Sequence, residues 1–272
     1  MPAASTNNGI IDGFQPEKTA SGPTTYLVTG ANRGLGRGMV AELLLRPNSL
    51  VVACVRDPNN ESSTSLSELP TSESTSLIVL KLDCEVSEDP AAVVDALTSE
   101  HRVTSIDVVI ANAAIASDYG PTSTITVEAL EKHMKVNTYS VLRLFHATKD
   151  LLQKAATGNP RFVLIGAPIS TITKMEECAR APLGAYGMSK LAACYLVRKF
   201  HFENKWLISF VVDPGHVQTD MGDQGARLMG RKSAPTTVSD SVRGVFARID
   251  EATKEKSSGH FLLHEDGSDV AW

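Results

Sequence analysis

Two sets of residues in this sequence could carry chemistry, and the first is a tyrosine–lysine pair. Tyr186 and Lys190 are four residues apart, so on a helix they lie on one face, one turn from each other. A lysine ammonium beside a phenol is expected to lower the pKa of the phenol from its ordinary value of ~10. Such a phenol can donate a proton to a carbonyl that receives a hydride. On its own this spacing usually marks only a helix surface.

The second set is a glycine-rich turn. Gly30, Gly34 and Gly36 follow a short apolar run at residues 26–28, and apolar residues at helical spacing come next. Glycines allow positive φ and close backbone approach, and a helix N-terminus offers free N–H groups and a positive dipole end. The order strand, turn, helix therefore suits a bound pyrophosphate. An ordinary strand–helix turn is the alternative, and the remaining segments favour the dinucleotide interpretation.

Two arginines bear on which dinucleotide would bind. Arg33 lies inside the glycine turn, and Arg56 directly follows the second apolar run. In a dinucleotide fold the end of the second strand faces the adenosine ribose, where a carboxylate suits NAD and an arginine suits the 2′-phosphate of NADP. Asp57 comes one position too late to bind the ribose. The pair favours NADP(H), with two surface arginines as the alternative.

The elements that must position these residues alternate between strand and helix. Apolar runs predict strands at 26–28, 50–55, 77–82, 106–111, 161–165, 206–212 and 259–263, and helical spacing predicts helices to about 46 and at 90–100, 127–156, 185–202 and 238–252. This alternation predicts a single-domain α/β Rossmann fold, a doubly wound parallel sheet of seven strands. Right-handed crossovers with a reversal after strand three predict the order 3-2-1-4-5-6-7, with ligands beyond the carboxyl ends of the strands.

Composition limits the classes of function. The chain has 272 residues and a net charge of −5 without a basic cluster, so neither nucleic acid nor an anionic membrane is an expected partner. It has no apolar run of the ~20 residues that a membrane helix needs and no secretory signal. Cys54, Cys84, Cys178 and Cys194 are widely spaced, which indicates free thiols in a reducing, cytoplasmic compartment and no metal site. We expect a flexible leader at 1–23 and one catalytic domain at 24–272.

The motifs in their order resemble the short-chain dehydrogenase/reductase family from about Thr24 to the end. The matching pieces are Thr29-Gly30-x3-Gly34-x-Gly36, Asp83, Asn112-Ala113-Ala114, Val136-Asn137, Tyr186-x3-Lys190 and Pro214-Gly215-His216-Val217-x-Thr219. Within the family, Arg56 and the C-terminal pattern of Gly259, Phe261 and Trp272 resemble fungal ketoreductases of secondary metabolism similar to norsolorinic acid ketoreductase.

This resemblance implies roles for individual residues. The NADP(H)-binding set would be Gly30, Asn32, Arg33, Gly34, Leu35, Gly36, Arg56, Asp83, Asn112, Lys190, Val217 and Thr219. Asp83 would bond the adenine, Val217 and Thr219 would hold the carboxamide, and Lys190 would bind the nicotinamide ribose and tune Tyr186. Asn137 would hold a water molecule in a proton relay. The resemblance also implies a homodimer or homotetramer formed through the helices at 127–156 and around Tyr186.

One position departs from the family pattern. The family places a catalytic serine just after strand five, and alignment from the strand puts Ala167 there, whereas counting back 13 residues from Tyr186 reaches Thr173. Loss of one such oxyanion donor costs roughly 100- to 1000-fold in rate. Ser170, Thr171 and Thr173 carry hydroxyls that could substitute if the segment folds back. The other interpretations are a less demanding substrate such as an imine, a substitution introduced for study, and a chemistry that relies on shape and cofactor.

The expected substrate pocket is apolar. Its predicted wall comprises Tyr119, Ile169, Met175, Leu183 and Met221, with a substrate loop at about 216–235. Such a wall suits a hydrophobic, polycyclic substrate. The sequence therefore predicts an NADPH-dependent reductase of a ketone or imine, with Tyr186 as proton donor. The alternatives are a bifunctional reductase and Diels–Alderase-like cyclase of a fungal alkaloid pathway, and a non-catalytic NADPH sensor, against which the intact Tyr186, Lys190 and Asn137 argue.

Overall fold

A sheet of seven parallel strands runs through residues 22–272, the part of the chain that this computed structural model describes. The strands are β1 Thr24–Thr29, β2 Ser49–Val55, β3 Ser76–Lys81, β4 Val108–Ala111, β5 Arg161–Ile165, β6 Ile208–Asp213 and β7 Phe261–Leu263. Their order is β3-β2-β1-β4-β5-β6-β7, which confirms the predicted topology. The leader predicted at 1–23 lies almost wholly outside the described residues.

Helices cover both faces of this sheet. They are α1 Gly34–Leu44, α2 Glu61–Thr64, α3 Asp89–Ser99, α4 Val127–Met134, α5 Ser140–Leu152, α6 Met175–Cys178, α7 Gly184–Glu203, α8 Asp220–Leu228 and α9 Val238–Asp250. On one face α3, α5 and α7 pack on the strands, and on the other α1 and α9 do so. The inner strands β1, β2, β4, β5 and β6 are buried on both sides, which is why they read as continuous apolar runs, whereas the edge strand β3 is half-buried.

An aromatic cluster marks the centre of the first face. Phe145 of α5 stacks on Phe200 of α7 with ring centroids 4.0 Å apart. Phe162 of β5 meets both rings edge-on, at 5.5 and 5.7 Å. Stacked and edge-to-face contacts are the favourable aromatic geometries. The cluster fixes α7, the helix that carries Tyr186 and Lys190, against the middle of the sheet.

The structure differs from the sequence prediction in the helix expected at 127–156. It ends at Leu152, and Lys135–Tyr139 form a π turn between α4 and α5. Single π turns inside helices are rare and frequently occur at functional sites. Here the turn contains Asn137, so it places that residue where a regular helix would not.

Strand four also begins later than predicted, at Val108 rather than at residue 106. The carboxylate of Asp107 accepts hydrogen bonds from the backbone of Thr25, at 2.9 Å, and of Thr157, at 2.8 Å. The backbone N–H of Ile106 donates to Leu151 O at 3.1 Å. The backbone of Asp107 also bonds to Thr25 and Arg161, so these two residues anchor the start of β4 to its neighbours.

The ends of the strands bring the functional segments together. The segments that follow β1, β2, β3, β4, β5 and β6 all open onto one edge of the sheet. Because β1 lies between β2 and β4, the order of the strands reverses there, and a crevice forms at that point. Within residues 22–272 no helix has both the length and the apolar character needed to cross a bilayer.

Candidate active site

A cleft of about 770 Å³ lies at the carboxyl ends of the strands. Every residue that the sequence predicts to bind the cofactor lines it, from Gly30 in the glycine turn to Thr219 before α8. Tyr186, Lys190 and Ala167 line it as well, whereas Asn137 does not. The cleft thus joins the glycine turn and the tyrosine–lysine pair in one continuous space.

The glycine turn forms a backbone cradle at one end of this cleft. Gly30 and Gly34 have φ of 64° and 51°, in the left-handed region that glycine favours. A Cβ on Gly36 would lie 2.1 Å from Gly30 O, so no side chain fits at that position. Arg33 precedes α1 without a side-chain cap, and the first turn carries no acidic residue. The N-terminal N–H groups of α1 are therefore free to bind an anion such as a pyrophosphate.

Arg33 and Arg56 lie exposed at the rim next to this cradle. Among the described residues neither guanidinium has a hydrogen-bond or ion-pair partner. Asn60 and Ser62 line the same corner, and Asn32 Nδ2 donates to Ser62 Oγ at 2.7 Å. Asn60 and Ser62 are not among the site residues predicted from the sequence. Their signal was the N-cap pattern, since the Asn60 side chain accepts from Ser62 N.

The wall beyond the cradle is held by Thr29 and Asn112. Thr29 Oγ1 accepts from the backbone N–H groups of Asn112 and Ala113, both at 3.0 Å. Asn112 Nδ2 donates to Thr29 O at 2.8 Å. Asn112 therefore shapes the cleft by joining the ends of β1 and β4. Further along, Asp83 is positioned by its backbone N–H, which donates to Asp89 Oδ2 at 2.7 Å.

Tyr186 and Lys190 lie in the wall near the end of β5. Lys190 is 2% exposed, and its Nζ donates to Ile165 O at 2.5 Å. Burial lowers the pKa of Lys190 to about 8. Burial raises the pKa of the Tyr186 phenol, and the nearby Asp213 carboxylate raises it further. The lowered phenol pKa that the sequence predicts is therefore wrong for the protein alone, because desolvation dominates and Lys190 donates to a carbonyl instead.

Asn137 lies behind the cleft, where its side chain joins two segments by hydrogen bonds. Its Oδ1 accepts from Ile115 N at 2.8 Å, and its Nδ2 donates to Ile115 O and to Ser189 Oγ, both at 2.9 Å. Both amide hydrogens are used and the side chain is 1% exposed, so this amide has no hydrogen to offer a water molecule. These hydrogen bonds join the loop after β4 to Ser189 of α7, the residue before Lys190.

The segment after β5 places no hydroxyl in the cleft. Ala167 lines it, but Ser170 Oγ turns back to donate to Ala167 O at 2.7 Å. Thr171 Oγ1 donates to Pro168 O at 3.2 Å, and Thr173 Oγ1 donates to Ala271 O at 3.0 Å. The segment does not fold back as the substitution of the serine would require, because Pro168–Ser170 form a 3-10 turn that directs these side chains away.

The predicted substrate wall is mostly apolar. Tyr119, Ile169, Leu183 and Met221 line the cleft, joined by Met229 and the half-buried Cys178. The structure places Met175 outside the cleft, on α6, with 58% of its side chain exposed. The predicted loop at 216–235 contains α8, which Thr219 caps by accepting from Gly222 N at 3.1 Å. No group of three or more His, Cys, Asp or Glu side chains suited to a metal occurs within the described part of the chain.

The chain matches known proteins over most of its length. A model of the short chain dehydrogenase family matches residues 24–227. The chain is 65% identical to a norsolorinic acid ketoreductase of Dothistroma septosporum, covering 98% of this chain and 99% of that protein. It is 57% identical to the norsolorinic acid ketoreductase of Aspergillus parasiticus, covering 97% and 100%. The NADPH-bound carbonyl reductase from chicken fatty liver superposes with a TM-score of 0.80 at 26% identity, covering 92% and 100%.

Proposed function

Because this chain belongs to the short-chain dehydrogenase/reductase family of oxidoreductases, we propose that it reduces the ketone of norsolorinic acid, with NADPH as reductant. The observation that carries the proposal is the 65% identity, over nearly the whole of both chains, to the Dothistroma septosporum enzyme. The apolar wall formed by Ile169, Leu183, Met221 and Met229 supports a hydrophobic polyketide as the substrate. In this proposal residues 24–272 act as one catalytic domain, and residues 216–235 form the substrate loop.

The choice of NADPH over NADH rests on two guanidinium groups. Arg33 and Arg56 flank the corner where a dinucleotide fold holds the adenosine ribose, and both lack partners among the described residues. A phosphate is a strong partner for such groups, since guanidinium–phosphate hydrogen bonds are charge-assisted. The uncapped N-terminus of α1 suits the pyrophosphate. Asp83, Val217 and Thr219 line the same cleft, which supports the cofactor-binding roles expected for them.

In the proposed mechanism Tyr186 supplies the proton. When bound in the cleft, NADPH would supply the hydride, and the Tyr186 hydroxyl would donate its proton to the ketone oxygen. The raised pKa keeps the phenol protonated at neutral pH, so it is ready to act as an acid. The buried Lys190, whose pKa is about 8, is mostly an ammonium at that pH and stabilises the phenolate that forms. Asn137 acts by holding α7 and the loop after β4 in a fixed relative position.

A direct test is NADPH oxidation with norsolorinic acid, followed by nicotinamide absorbance and by mass spectrometry of the product. We expect stoichiometric oxidation of NADPH and a product that carries two more hydrogens than the ketone. Ala167 also fits the alternative of a cyclase in which the bound nucleotide forms part of the wall of the active site. Tight NADPH binding without oxidation, together with conversion of the ketone to an isomer of equal mass, would support that alternative.

We also propose that the chain forms a homodimer through α7. Met188, Tyr195 and Phe202 follow one another at seven-residue intervals, so they share one face of the helix, and they are 48%, 65% and 62% exposed. An apolar stripe of this kind is typical of a helix that packs against a partner. A second copy is the occupant that the family resemblance implies.

If this apolar stripe forms the dimer interface, a charge placed in it should change the oligomeric state. Tyr195→Glu is expected to yield monomers in light scattering at concentrations where the unmodified chain is a dimer, because two buried carboxylates would face each other. Lys232→Glu, an exposed change away from α7, should leave the dimer intact. A monomeric unmodified chain, or a dimer that survives Tyr195→Glu, would contradict the assignment.

A further inference from the structure

We propose that Tyr119 is a second hydrogen-bond donor to the ketone oxygen of the substrate, in the place left open at Ala167. The proposal rests on the function proposed above. It concerns a residue that sequence reasoning assigned only to the apolar wall. Three observations carry it: the hydroxyls available in the cleft, the path of the chain around residue 119, and the partner of the Tyr119 hydroxyl.

Few hydroxyls can reach a substrate bound beside Ala167. Among the described residues that line this part of the cleft, the hydroxyl carriers are Ser117, Tyr119, Tyr186 and Thr219. Ser117 Oγ donates to the Asp118 carboxylate at 2.6 Å, and such a charge-assisted bond is costly to give up. Thr219 Oγ1 accepts from Gly222 N as the cap of α8, and its own hydrogen is directed at Val217 O, 3.4 Å away. Besides Tyr186, this leaves Tyr119.

The backbone brings Tyr119 to the start of the Tyr186 helix. Gly120 N donates to Pro182 O at 3.1 Å, and Gly120 forms a parallel bridge with Leu183. Helix α7 begins one residue later, so the two phenols project from segments that are hydrogen-bonded to each other. Asp118 has φ of 53°, a left-handed conformation that turns the chain just before Tyr119.

The present partner of the Tyr119 hydroxyl can be exchanged at low cost. Tyr119 OH donates to Ala116 O, a neutral carbonyl, at 2.7 Å. Rotation about the C–O bond moves the hydrogen from this carbonyl to a substrate oxygen without moving the ring. A developing oxyanion is the better acceptor, because hydrogen bonds to a charged group are roughly twice as strong as neutral ones. Burial raises the pKa of Tyr119, which keeps the phenol a donor at neutral pH.

Three variants test the proposal with norsolorinic acid and NADPH: Tyr119→Phe, Ala167→Ser, and the two combined. We expect Tyr119→Phe to lower kcat by about 100-fold, the cost of one oxyanion donor. Ala167→Ser in the double variant should restore the activity to within about tenfold of the unmodified chain, because the serine hydroxyl supplies the same bond from the other side. Tyr139→Phe, which removes an exposed phenol, is the matched control and should leave kcat unchanged.

A purely structural role for Tyr119 gives a different pattern. If its hydroxyl serves only to hold the loop through Ala116, Tyr119→Phe would raise KM for the ketone and lower the melting temperature, and Ala167→Ser would restore nothing. That result overturns the proposal, as does a Tyr119→Phe variant of unchanged kcat. An unmodified chain that binds NADPH but does not oxidise it overturns this proposal and the proposed function together. An active unmodified chain whose kcat ignores Tyr119 overturns this proposal alone.

Discussion

Tyr186→Phe is expected to lower kcat for ketone reduction by roughly 1000- to 10,000-fold, near the upper end of what a positioned general acid contributes. The change removes the proton donor and leaves the ring in place. No hydroxyl of the segment after β5 lines the cleft to take over, since Ser170, Thr171 and Thr173 all donate to backbone carbonyls. NADPH affinity should stay within a few-fold of the unmodified chain, as measured by nucleotide fluorescence.

The matched control for this change is Tyr195→Phe. Tyr195 lies on the same helix, is 65% exposed and does not line the cleft, so loss of its hydroxyl should not affect kcat. A Tyr186→Phe variant that retains most of its NADPH oxidation would show that another group donates the proton. A variant that loses oxidation but still converts the ketone would point to the cyclase chemistry.

Replacing Arg33 and Arg56 together by Ala is expected to abolish the preference for NADPH. Each hydrogen-bonded charge contributes about 1.5–3 kcal/mol, so the pair corresponds to a rise in the NADPH dissociation constant of roughly 100-fold or more. The affinity for NADH, which lacks the 2′-phosphate, should change by less than about threefold if these guanidinium groups bind that phosphate alone. Fluorescence titration with both nucleotides measures the ratio, and raised salt should weaken NADPH binding to the unmodified chain more than to the variant.

Arg180→Ala is a suitable control, because Arg180 is exposed and does not line the cleft. Equal losses for NADPH and NADH in the double variant would mean that the arginines support the turn and not the 2′-phosphate. Unchanged affinity for both nucleotides would show that Arg33 and Arg56 do not bind the 2′-phosphate of NADPH.

The sequence predicted the fold well because parallel strands leave a strong local signal. A strand buried on both faces must be apolar along its whole length, so runs such as Leu50–Val55 are visible without any knowledge of their neighbours. The chain does not show where tertiary hydrogen bonds end an element. Asp107, just before β4, is held by bonds to Thr25 and Thr157, which lie far away in sequence. The π turn at Lys135–Tyr139 likewise has no distinctive amino-acid pattern from which it could be predicted.

The cleft was predictable in its outline and less so in its details. Spacing and family resemblance brought together the glycine turn, Arg56, Tyr186 and Lys190, all of which line one space. The direction of individual side chains depends on local geometry that spacing does not encode. Met175 lies outside the cleft on the short helix α6, and the Tyr186 pKa rises mainly because the phenol is buried, which the sequence does not show.

The position of β1 between β2 and β4 has a consequence for how this protein folds. The wall of the glycine turn is made by Thr29 and Asn112, which are 83 residues apart, so it forms only after the chain has crossed from one half of the sheet to the other. Closing such long-range parallel pairings is slow, because the loop entropy is lost before the contacts form. We therefore expect the wall of the anion cradle to form late in refolding, and we expect a nucleotide that binds there to stabilise the folded state by mass action.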